Sequence, residues 1–306
     1  MNIAFQKFFY GMMLTFASSY AFATAYPLPP ANESLVGEVQ YTASSYGDTV
    51  AAIAKRYNLG YNSLENANPQ LNLKKGISSG APLQIPTKHL LPSQTRTGIV
   101  INLPEMRLYY YPGNGQVLTF PIGIGKVGKT IPIQNTSITR KTTNPSWTPP
   151  DDIREFNLDQ GVVLPKVMPP GPDNPLGPYA IYMKIPTYLI HSTIFPESVG
   201  KRASFGCIRM YESDIQTFFP LVESGIPVVI ENLPIKFGWQ DNKLYMEAYP
   251  ALEEHNSNPN TSLPGMVHMV NEASKNQDVL IDWQGMSYVA QERDGIPHDI
   301  GMRILK

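Results

Sequence analysis

The sequence is poor in cysteine, poor in charge and without a long apolar span. Cys207 is the single cysteine among 306 residues, so no intramolecular disulfide and no cysteine-built zinc or iron–sulfur site can form. Charged residues make up 16%, against about 25% in an average domain. Lys plus Arg is 24 and Asp plus Glu is 25, a net charge of -1. That balance lacks the basic excess with which a general nucleic-acid binder neutralises phosphate. Beyond the first 25 residues no stretch approaches the roughly 20 apolar residues of a membrane span. Proline, by contrast, is abundant: 29 of 306 residues, where about 5% is usual. Proline removes a backbone donor and breaks helix interiors, which predicts strands and ordered loops rather than long helices.

Residues 1–25 read as a secretory signal. Lys7 supplies the positive start, residues 8–22 are mostly apolar, and Ala21, Ala23 and Ala25 offer a small-residue cleavage site. The apolar run carries Gly11, Ser18 and Ser19 and is short for a span. With no cysteine beside it, lipid anchoring is not expected, and the mature chain should be exported, soluble and without a membrane span. Exported cysteines are normally paired, so a lone one there points to a chemical role for Cys207.

Residues 38–87 form a candidate small domain. Residues 38–42 read as a strand, and Asp48 can cap a helix. Val50, Ile53, Ala54 and Tyr57 then fall on one helical face. A second short helix is predicted over 61–66, stopped by Asn68-Pro69, and 83–86 closes the unit as a strand. Gly47-Asp48-Thr49, Ile53-Ala54, Tyr57-Asn58, Ala67-Asn68-Pro69 and Ile85-Pro86 resemble a LysM domain. The resemblance implies a βααβ fold and binding of peptidoglycan glycan strands, in a groove near 44–49 and 66–70.

Residues 88–97 read as a linker. Short strands are then predicted over 98–103, 107–111, 116–122, 180–184, 188–190 and 227–231, with a helix over 213–222. This makes 97–235 a mainly β domain. Residues 236–306 form a mixed accessory tail, with a strand near 243–248 and a helix near 266–273. Tyr109-Tyr110-Tyr111 reads as strand packing rather than a sugar platform. Residues 123–130, GIGKVGKT, fit a phosphate-loop pattern, but that loop needs a helix directly after it. Ile131-Pro132 and a Thr- and Ser-rich stretch follow instead, so the glycines are expected to shape a hairpin.

The chemistry-bearing segment is 191–210, HSTIFPESVGKRASFGCIRM. Acyl transfer through a thiol needs a thiolate, a base and donors for the oxyanion. Cys207 can be the nucleophile and His191, at a strand end, the base. Gly206 lets substrate approach the backbone, and the N–H groups of Gly206 and Cys207 are candidates for the oxyanion hole. Arg209 offers a bidentate fork for a carboxylate. An activated Cys207–His191 pair also predicts a depressed thiol pKa. From spacing alone, a buried structural cysteine with an unrelated histidine fits equally.

The resemblance decides between them. His191-Ser192-Thr193 and Ser204-Phe205-Gly206-Cys207-Ile208-Arg209-Met210 resemble the active-site signature of the YkuD-type L,D-transpeptidases, a His followed some 15 residues on by Ser-x-Gly-Cys. Further stretches, at 98–103, 108–112, 121–125, 144–149 and 171–177, are similar to the periplasmic ErfK/YbiS/YnhG group. The resemblance implies Cys207 as nucleophile, His191 as general base, the Ser192 carbonyl orienting the imidazole, Ser204 supporting the loop and Arg209 meeting a substrate carboxylate. It implies a YkuD-like β-sandwich with a short helix, no metal or cofactor, and a periplasmic location. Its substrates would be peptidoglycan tetrapeptide stems. The acceptor would be a second stem, giving a 3→3 cross-link, or a lipoprotein or other outer-membrane protein. The same residues would serve an L,D-carboxypeptidase, and an inactive wall-binding scaffold would keep them without turnover. Phe205 stands where many members have His, and Ser192 where close relatives have Gly. A side chain as bulky as Phe205 is expected to narrow the cleft.

Overall fold

The computed structural model of the chain describes residues 24–92, 96–255, 261–275 and 277–304. The expected signal therefore lies outside the described residues except for Thr24 and Ala25. These two begin a strand, Thr24–Pro27, that pairs antiparallel with Gln116–Pro121 and closes one edge of the main sheet.

The small unit is βααβ as anticipated. Gln40–Ala43 pairs antiparallel with Pro82–Ile85, and α1 (Val50–Arg56) and α2 (Tyr61–Asn66) pack over them. Ile53, Ala54, Leu59, Leu64, Leu83 and Ile85 form its core. Thr49, not Asp48, caps α1, its hydroxyl accepting the Ala52 N–H at 3.1 Å. Asp48 instead pairs with Arg56 at 2.6 Å. The segment expected as a linker is pinned: His89–Leu90 is a buried strand paired with Leu35–Val36.

The main domain is a nine-stranded mixed sheet. The long strand Gln134–Thr143 pairs through its first residues with Pro227–Glu231 and through its later ones with Tyr179–Met183. A register shift between Ile138 and Arg140 marks the change. Ile99, Leu108 and Phe120 from one half meet Ile181, Ile190 and Ile208 from the other in one core. On the opposite face, Val100, Tyr109, Tyr111 and Val117 pack on Val36 and Leu91. Burial on both faces explains why 107–111 is apolar without a strict period of two, and all three tyrosines are buried. Between Thr143 and Tyr179 the chain leaves the sheet in a long excursion carrying α3 (Asp151–Leu158). α4 (Glu212–Phe218) follows the last strand of the sheet and buries Ile215 and Phe218.

The tail is an α+β subdomain. Strands Ile235–Gln240, Lys243–Ala248, His298–Arg303 and Val279–Ile281 form a sheet in that order. It packs against α5 (Leu263–Ala273) and α6 (Trp283–Glu292) through Met246, Val270, Met286, Val289 and Ile300. A buried ionic knot joins the subdomain to the main sheet. Lys236 Nζ lies 2.8 Å from both Glu105 and Glu247, and His89 lies 3.8 and 3.9 Å from their oxygens. His89, Glu105 and Glu247 are also spaced for metal ligation, but the Lys236 ammonium already supplies the cation between the carboxylates.

Candidate active site

Two short parallel strands hold the site. Leu189–Ser192 pairs with Ile208–Met210, with His191 opposite Arg209. His191 is buried, and its Nδ1–H donates to the Ser192 carbonyl at 2.5 Å. That bond leaves Nε2 as the nitrogen with a free lone pair. Burial, reinforced by the Arg209 charge, pushes the imidazole pKa down to about 4, so it is neutral at neutral pH. Ser192 is fixed in turn. Its hydroxyl donates to the Leu176 carbonyl at 2.8 Å and accepts the Tyr179 N–H at 3.3 Å.

Ser204 braces the turn before Cys207. Its hydroxyl donates to the Cys207 carbonyl at 2.6 Å and accepts the Gly206 N–H at 3.0 Å. Gly206 has φ +117°, and a Cβ there would stand 2.5 Å from the Tyr188 ring, so no other residue fits. Gly125 passes beneath it, with room for no side chain between it and the Lys129 carbonyl. Gly125 thus serves close backbone packing under the cysteine turn and Gly123 packs on Ser198, while Gly128, at φ +77° in open space, shapes the turn that the Lys129 N–H closes on the Lys126 carbonyl. The chain after them runs into the strand Gln134–Thr143, not a helix. One expected role changes: the Gly206 N–H, a candidate oxyanion donor, is engaged by Ser204. The part the structure gives Gly206 is conformational.

Cys207 is partly exposed, and its thiol faces the Thr187 carbonyl at 3.7 Å. Burial pushes the thiol pKa up, outweighing the Leu189 N–H and the Arg209 charge, which pull it down. The expected depressed thiol is therefore reversed at rest: the sulfur is desolvated and His191, on the wall of the same cavity, is uncharged, so no imidazolium stabilises a thiolate. Arg209 is held by two backbone hydrogen bonds to Gly123. Among the described residues its buried Nε has no hydrogen-bond partner.

Cys207, His191 and Arg209 all line one cavity of about 1000 Å³. The excursion supplies its other wall, with Trp147, Ile153, Phe156 and Met168. Phe205 lines it too. Its ring meets Phe156 edge-on at 5.2 Å, and Lys126 Nζ lies 3.7 Å from its centre and 4.0 Å from that of Phe156. Lys129 and Asp152, 2.7 Å apart, add an ion pair at the same seam. Phe205 thus joins the cysteine turn to α3. Sequence reading missed α3, none of whose eight residues is fully buried; the signals available were Pro150, the first-turn Asp151 and Asp152, and Ile153 with Phe156 at i, i+3.

The family profile of the L,D-transpeptidase catalytic domain (YkuD) matches residues 96–230, and that of the LysM domain matches 45–86. The probable L,D-transpeptidase YcfS of Escherichia coli (strain K12) is 38% identical over 298 residues, covering 94% of this chain and 92% of the relative. The chain belongs to the YkuD-type L,D-transpeptidases. The probable L,D-transpeptidase ErfK/SrfK of Salmonella typhimurium is 35% identical across 95% of this chain and 96% of its own length. The probable L,D-transpeptidase YbiS of Escherichia coli (strain K12) is 39% identical across 76% and 78%. As a YkuD-type enzyme the chain is strand-rich, carries a LysM domain, and has among the described residues no helix long and apolar enough to cross a membrane.

Proposed function

We propose that the protein is a periplasmic peptidoglycan L,D-transpeptidase working through a Cys207 thioester. The observation that supports this most is the convergence of Cys207, the neutral His191 and Arg209 on one cavity. The donor tetrapeptide stem binds with a free carboxylate at Arg209, whose fork suits it. His191 Nε2 accepts the Cys207 proton as the sulfur attacks the carbonyl of the third stem residue. The bond to D-alanine breaks, the proton passes from the imidazole to the departing amine, and a thioester remains. An acceptor amine then attacks the thioester, gives its proton to His191 and frees Cys207. Ser192 holds the imidazole throughout, and Ser204 and Gly206 hold the turn. The acceptor is a second stem, giving a 3→3 cross-link, or an amine of an outer-membrane protein. The LysM domain binds the glycan strand of the same wall.

Product analysis tests this. The mature protein incubated with a disaccharide tetrapeptide should release D-alanine and form 3→3 dimers, and Cys207→Ala should do neither. Tripeptides without dimers, and without a stem joined to an added outer-membrane protein amine, would make it an L,D-carboxypeptidase. No D-alanine from a folded protein would make it a binding scaffold.

A further inference from the structure

We infer that the LysM unit is a docked positioning element of the catalytic cavity, not a flexibly tethered anchor. The contact is backbone on backbone. Gly60, at the start of α2, touches Gly200 so closely that a Cβ on Gly60 would stand 2.6 Å from the Gly200 Cα. Gly60 offers α2 no side-chain cap. The first N–H groups of the helix are satisfied across the seam instead: Tyr61 donates to the Val199 carbonyl at 3.0 Å and Asn62 to that of Gly200 at 3.2 Å.

Both chain segments flanking Cys207 take part. Upstream, Val199 and Gly200 end the loop whose Ile194 and Phe195 line the cavity, and two residues further on Arg202 starts the strand that reaches Ser204. Downstream, Tyr211 follows the strand that carries Arg209, and its hydroxyl donates to the Leu59 carbonyl at 3.0 Å. Leu59, Val199 and Tyr211 are buried. A tether would raise the local concentration of wall and leave the catalytic walls alone. This seam ties them to the LysM fold, and a shift of about 1 Å at a reacting centre costs on the order of 100-fold.

Gly60→Ala in the mature full chain tests the inference. Residue 60 has φ -81°, which alanine adopts freely, so the new methyl clashes only with Gly200, Ser63 Oγ standing at an ordinary 3.7 Å. The expected result is faster amide hydrogen exchange across 194–207 and a fall of about tenfold in turnover of a glycan-free tetrapeptide, with sacculus binding retained. Such a peptide has nothing for a LysM groove to hold, so that loss reports positioning. Tyr211→Phe, which removes one hydroxyl, should act in the same direction with a smaller effect and carries the test should Gly60→Ala not fold. Unchanged exchange over 194–207 and unchanged turnover in the folded variants would overturn the inference. The turnover arm rests on the acyl-transfer reading. A wild-type protein without turnover would count against that reading alone, because the exchange arm needs no catalysis.

Discussion

Arg209 lies directly across a parallel ladder from His191, and its charge adds to burial in holding the imidazole pKa near 4. A base must be unprotonated to act, so kcat/KM should fall as pH falls through about 4, not near the ordinary histidine value of 6.5. Arg209→Gln removes the smaller of the two causes. The acid limb should move upward, whatever happens to its height. A wild-type limb at 6–7, measured on a soluble stem, would contradict the geometry.

The resting thiol offers a second test. With its pKa pushed up by burial, Cys207 should alkylate slowly with iodoacetamide at pH 7 and faster as pH rises past 9. Rapid alkylation at neutral pH, lost in His191→Ala, would restore the activated pair that the catalytic reading of the sequence expected.

Why that expectation reversed shows where sequence stops being informative. That His191, Cys207 and Arg209 share one cavity was legible through the resemblance of 191–193 and 204–210 to a known signature, since spacing alone left an inert cysteine equally open. The protonation states were not, since they depend on burial and on the Arg209 charge in the folded site. Likewise 61–66 read correctly from the Asn68-Pro69 stop, and 107–111 from its β-like composition between two turns. α3 did not, because it buries no residue fully and its contacts, Phe156 on Phe205 and Asp152 with Lys129, are made to parts of the chain distant in sequence. The tail was under-read for another reason: its sheet pairs His298–Arg303 with Lys243–Ala248, a separation no local pattern announces. Phe205 was foreseen as bulk in the cleft. Its partner Phe156, more than forty positions away, could not be.

Lys236 should be a large single determinant of stability. It is buried, and the pull of Glu105 and Glu247 outweighs desolvation, so its pKa is raised. Lys236→Met leaves buried Glu247 without a cation and Glu105 with only Arg107, 3.8 Å away, and should cost about 3–5 kcal/mol in chemical denaturation. A loss below about 1 kcal/mol would mean the knot is solvated.

Asp214 should make stability pH-dependent. It is buried in the first turn of α4, and burial raises its pKa from 3.8 to about 7. The folded state therefore binds the proton more tightly, and this contribution, full below the unfolded value, is lost as pH rises through 7. Asp214→Asn removes the dependence. The variant should gain on wild type by on the order of 2 kcal/mol between pH 5 and pH 8. An equal difference at both pH values would place the carboxyl in water.

The central claim is that Cys207 carries the acyl group. Intact mass of the mature protein, taken during turnover of a diaminopimelate-containing tetrapeptide, tests it most directly. The account predicts a thioester adduct on Cys207, with free D-alanine in solution and neither in Cys207→Ala. D-alanine released by Cys207→Ala at the wild-type rate, or an adduct mapped to another residue, would contradict it.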